Sequence, residues 1–152
     1  MTTFHIELQI DQGEPATLEP LIHKIAVATL KQQQVTAEAV LTILITNDEA
    51  LQTLNKTYRS EDKPTDVLSF EDGTEWPDGK LYLGDIAISH QMAERQAAQG
   101  GHKLLDEVAL LTAHGVLHLL GHDHAEPEEK AIMWQAQGAV LAQFGINVSP
   151  AE

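Results

Sequence analysis

Leu81-Tyr82-Leu83-Gly84-Asp85-Ile86-Ala87-Ile88-Ser89 is the stretch on which the fold turns. Its apolar, β-prone composition predicts a strand, and it is the last such run in the chain. Beyond it the apolar spacing turns helical, predicting helices over roughly 90–99, 103–120 and 127–144. Before it, Val67-Leu68-Ser69-Phe70 reads as a short strand, and Glu71 to Lys80, with two Gly and one Pro, reads as a flexible connection. Val40 to Thr46 is rich in β-branched residues, and residues 4–10 alternate with period two, so both predict strands. Between these two, Leu18, Leu21, Ile22, Ile25 and Ala26 predict a helix from about Pro15 to Gln32. Asn47 or Asp48 can cap another, with Leu51, Leu54 and Tyr58 on its inner face. Arg59 to Asp66 is polar, contains Pro64 and reads as a loop. The sum is an α+β fold: a small mixed four-stranded sheet packed with about five helices.

A chain of 152 residues is the size of one domain, so a single domain over 1–152 is expected, with 145–152 as a frayed tail. The chain has no cysteine, which excludes disulfides and thiolate metal sites. Any transition metal must therefore be held by His, Asp, Glu or water. The net charge of −14 argues against a protein that coats nucleic acid by broad attraction. It leaves room for an enzyme that meets one phosphate through a metal and a few local cations. No signal peptide or membrane-spanning stretch is legible, and a cytoplasmic location is the simplest reading.

The chemistry is concentrated in His114-Gly115-Val116-Leu117-His118-Leu119-Leu120-Gly121-His122-Asp123-His124. His114 and His118 are four apart and share one helical face. Gly121 can take the left-handed conformation that stops a helix, which sends His124 back toward that face. Three imidazoles leave a fourth tetrahedral position open, as catalytic zinc sites do. The alternatives are buried structural histidines or a pH-sensitive cluster. The spacing also resembles the metzincin protease pattern H-E-x-x-H-x-x-G-x-x-H, but Gly115 stands where that pattern needs its general-base Glu.

The run His-Gly-x-Leu-His-Leu-x-Gly-x-Asp-His resembles the signature of the YbeY endoribonuclease family. Asn55-Lys56-Thr57-Tyr58-Arg59 with Thr65-Asp66-Val67-Leu68-Ser69-Phe70, and then Leu83 to Ser89, look like two further blocks of that family in the same order. The resemblance implies a metal-dependent ribonuclease of single-stranded RNA, acting in 16S rRNA 3′-end maturation and ribosome quality control. It implies one divalent ion, zinc first, with Ni, Cu or Fe compatible, on His114, His118 and His124. It implies a functional role for Arg59, so Arg59 and His114 are the candidate catalytic residues. The implied partners are ribosomal RNA and the small ribosomal subunit or its proteins, with no membrane and no DNA.

Other residues carry open readings. Lys56, Arg59 and Lys63, with Lys80 across the cleft, form either a cationic strip or ordinary surface charge beside Glu61 and Asp62. Asp85 can orient a ligand histidine, cap a helix or pair with a Lys, and Asp123 can orient one or merely turn the chain. His122 offers a spare ligand or proton carrier. Asp66 reads as the start of a strand, and no residue stands out as general base. Trp134 follows helical spacing and reads as core, whereas Trp76, beside Pro77, reads as an exposed loop residue able to stack on a base. Two rivals stand beside the ribonuclease: another zinc hydrolase of the peptidase or amidase kind, and a non-catalytic ribosome-assembly factor with a structural metal.

Overall fold

A computed structural model describes residues 3–148. The element order is β1 (His5–Ile10), α1 (Pro15–Gln32), β2 (Ala39–Thr46), α2 (Asp48–Arg59), β3 (Val67–Glu75), β4 (Leu81–Ser89), α3 (His90–Gly100), α4 (Leu104–Leu119) and α5 (Pro127–Ala142). The four strands form one mixed sheet in the order β1-β2-β4-β3. β1 and β4 both run parallel to β2, and β3 runs antiparallel to β4. This is the α+β architecture the periodicity predicts.

Strand alternation divides the core between the two faces of the sheet. Leu41, Ile43 and Ile45 of β2, with Ile86 and Ile88 of β4, pack against α1 and α4. On the opposite face Leu44, Leu68 and Ala87 pack with Leu51 and Leu54 of α2. A separate apolar cluster joins α1, α4 and α5 through Ile25, Ala109, Ala113 and Val140. Helix α4 is therefore buried along most of its length.

Local chemistry ends the elements where they end. Asn47 caps α2 by accepting from Ala50 N at 2.8 Å, while Asp48 instead accepts from Ser89 Oγ at 2.6 Å and pairs with Arg95 at 2.8 Å. Gly121, at φ 97°, closes α4. Its N–H reaches His118 O at 3.0 Å, and the N–H of His122 reaches Leu117 O at 3.0 Å, the paired bonds of a Schellman motif.

Two expectations need correction. Tyr58 is 67% exposed, and its ring meets Phe70 edge-on at 5.3 Å instead of entering the core. Strand β3 does not stop at Phe70. Glu71 to Lys80 builds a hairpin with β4, pairing Thr74 with Tyr82 and Glu75 with Leu81. Its side chains are exposed, so no alternation marked it, but the antiparallel partner satisfies its backbone. At the C-terminal end, Ile146 and Val148 pack against the α1–α4–α5 cluster. Residues 149–152 lie outside the described residues.

Candidate metal centre

The last two turns of α4 and the loop after them bring three imidazoles together. The ring centroids lie 4.7 Å apart for His114 and His118, 5.4 Å for His114 and His124, and 5.2 Å for His118 and His124. One donor atom from each falls within 4.8 Å of the others, which places the three to bind one metal ion. The helix supplies the first two by its four-residue spacing, and the Gly121 turn supplies the third. His118 and His114 are half-buried, whereas His124 is exposed.

His114 and His118 are held toward the neutral form, which is the ligating one. Burial, followed by the neighbouring His114 and His124, pushes His118 down from 6.5 to about 4. Burial also lowers His114. An unfolded His118 has the ordinary value, so it binds a proton below about pH 6.5 that the metal-free folded form refuses until about pH 4. Stability from this group is complete above the unfolded value and is lost as pH falls toward the folded one. The loss is on the order of 3 kcal/mol. Thermal melts of metal-free protein between pH 7.5 and 4 should show this slope, and the His118→Ala variant should show a shallower one. Equal slopes would remove His118 as its source.

The imidazoles open into a cleft of about 620 Å³ whose other wall comes from α2, β3 and the loop between them. Arg59 and Lys63 line it together with the acids Glu61, Asp66, Glu71 and Asp123. Arg59 Nη2 donates to Ser69 O at 2.8 Å, and its Cζ lies 6.0 Å from the Phe70 ring centre. Ser69 Oγ in turn donates to Gly115 O at 3.2 Å, which ties the Arg59 wall to the helix beside His114.

A sequence model described as Endoribonuclease YbeY matches residues 5–145. A Chloroflexus aurantiacus protein called Endoribonuclease YbeY is 43% identical over 150 residues, covering 94% of this chain and 97% of its own. One of the same name from Desulforamulus reducens is 39% identical, covering 92% and 95% respectively. The chain belongs to the YbeY endoribonuclease family. The solution structure of TM1509 from Thermotoga maritima shares the fold, with a TM-score of 0.57 at 23% identity over 92% of this chain and 91% of that one.

Within this YbeY-family site, several neighbours differ from expectation. Asp85 is exposed and accepts from the Tyr82 hydroxyl, so it orients no ligand histidine. Lys80 pairs with Asp78 at 2.8 Å in the hairpin turn and does not line the cleft. Lys56 faces Asp62 at 3.9 Å, which reduces the cationic strip to Arg59 and Lys63. His122 Nε2 lies 2.7 Å from Oε1 of Gln33, the C-cap residue of α1, which occupies it as a structural tie. Asp123 lines the cleft and accepts from the N–H of His124 at 2.7 Å, shaping the turn that presents that ring. Trp76 is 39% exposed but stacks on Tyr82 at 5.5 Å, away from the imidazoles.

Trp134 is the larger correction. It is half-buried, with its ring 5.7 Å from His114 and 5.3 Å from His124. Helix α5 therefore lays it against the imidazoles instead of in the core. Gln137, one turn further on, escaped the sequence reading altogether, although a Gln among the buried positions Met133, Val140 and Leu141 is a signal in itself.

Gly115 explains why this site is no metzincin. A Cβ there would lie 2.8 Å from Ile86 Cγ2 of β4. The helix approaches the sheet too closely at that point for a glutamate.

Proposed function

We propose that this protein is a metal-dependent endoribonuclease of single-stranded RNA that works in 16S rRNA 3′-end maturation and ribosome quality control in the cytoplasm. The observation that carries this reading is a three-imidazole cluster opening into a cleft whose far wall presents Arg59, in a chain of the YbeY family.

His114, His118 and His124 would hold the ion, and zinc suits three neutral nitrogen donors with no thiolate. Once bound, a divalent ion supplies Lewis-acid polarisation of a phosphoryl oxygen. The other work falls to this chain's residues. Ser69 O takes one N–H of the Arg59 guanidinium, and Phe70 lies beside it. The remaining N–H groups are left to grip phosphate oxygens and to stabilise charge that grows on them. Lys63 adds a second cation on the same wall.

The acids around the cleft and the net charge of −14 oppose tight binding of loose RNA. This favours placement of the substrate by a ribosomal partner. The lack of room for a carboxylate at Gly115 disfavours a peptidase.

The test is metal analysis of the purified protein, with cleavage of single-stranded RNA and of casein assayed before and after chelation. RNA cleavage that disappears with the metal and returns with zinc is expected. Casein cleavage alone would establish the peptidase, and RNA cleavage that survives complete chelation would refute metal dependence.

A further inference from the structure

Helix α5 meets the imidazoles through one buried polar side chain. Gln137 is 1% exposed and sits on the face of α5 that buries Met133, Val140 and Leu141. An amide in such a stripe costs free energy unless it is hydrogen-bonded. Its Oε1 lies 2.9 Å from His114 Nδ1.

An amide oxygen can only accept, so the nitrogen facing it must carry a hydrogen. A neutral imidazole has a single N–H. With it on Nδ1, the lone pair belongs to Nε2, the nitrogen that Gln137 leaves free for an ion. The opposite tautomer would set Nδ1 and Oε1 lone pair against lone pair, or make the amide turn over to present its NH2, and would put a hydrogen on the ligating nitrogen. Trp134 flanks the same ring edge-on at 5.7 Å, one turn earlier on α5.

We infer that Gln137 is a positioning residue that holds His114 as the Nδ1–H tautomer and so prepares Nε2 as a metal donor. This rests on the proposed metal-binding role of His114 and deepens it. The partner is a neutral amide on a different helix, so the docking of α5 on α4 becomes part of the metal site.

The tautomer can be read directly by nitrogen-15 NMR of the metal-free protein at pH 7.5. His114 should show a protonated Nδ1 and an unprotonated Nε2. Gln137→Leu keeps the volume and removes the acceptor. It should let the tautomers mix and should weaken zinc binding, measured by chelator competition, by about 10- to 100-fold. Gln137→Glu restores the acceptor and should restore both the tautomer and the affinity. A His114 protonated on Nε2 in the parent protein overturns the inference, even where the variants fold poorly. So does a Gln137→Leu protein with parental zinc affinity. A parent that binds no zinc would instead end the proposed function, while the tautomer measurement on metal-free protein still decides the role of Gln137.

Discussion

His118→Ala is expected to abolish stoichiometric zinc binding and RNA cleavage together, whereas Arg59→Ala is expected to abolish cleavage and keep the metal. His118 is the central member of the cluster, 4.7 Å from His114 and 5.2 Å from His124 by ring centroids. Without it two imidazoles remain, too few to compete with a chelator. A metal contributes several kcal/mol of charge stabilisation to phosphoryl chemistry, so kcat/KM should fall by about 10³-fold or more. The fold should survive, because His118 is only half-buried and its loss removes an imidazole that resists protonation.

Arg59 is exposed at the end of α2, where its loss empties no core. Removing one preorganised donor to a developing oxyanion typically costs about 10²- to 10³-fold in rate. Zinc stoichiometry and melting temperature should stay near those of the parent. Metal content by mass spectrometry, melting curves and RNA turnover on the two variants form the check. An Arg59→Ala protein that loses its zinc would show that the guanidinium acts through Ser69 and Gly115 instead of on the substrate. One that turns over RNA at the parental rate would have no use for Arg59 in catalysis.

The largest effect on stability should come from Gly84→Ala. Gly84 has φ +139°, and a Cβ there would lie 2.1 Å from Phe70 O and 3.0 Å from Leu119 Cδ2. The first neighbour is backbone and cannot rotate away. Strand β4 also carries an irregularity here, since Val40 pairs with Tyr82 while Leu41 pairs with Gly84. Backbone strain alone costs about 1–3 kcal/mol, and the clash should bring the total to about 3 kcal/mol or more. For a chain of this length that is a fall of about 10 °C in melting temperature. The displaced segment of β3 adjoins Ser69, so zinc retention should suffer as well. Gly138→Ala is the control, because its added Cβ meets nothing within 4 Å on helix α5. It should gain up to about 1 kcal/mol from helix propensity. A Gly84→Ala protein that melts within 2 °C of the parent would show that β3 and β4 can separate there at little cost.

Features that depend on short covalent spacing were legible in the chain alone. Period-two and 3.6-residue patterns marked the strands and helices, because each residue's face follows from its position along one element. The cluster of His114, His118 and His124 was legible for the same reason: a helical repeat and one glycine turn, all within eleven residues. The polar half of β3 was not legible, since its order comes from pairing with β4 and not from burying a face. Trp134 and Gln137 carried no local mark of their neighbours. Only the tertiary structure lays α5 across the end of α4 and joins Gln137 to His114, 23 residues away. It likewise sends Asp85 and Lys80 away from the cleft they adjoin in sequence-based expectation. Contacts between elements are decided by how apolar faces dock, and no residue's own spacing encodes which side chain will stand opposite it.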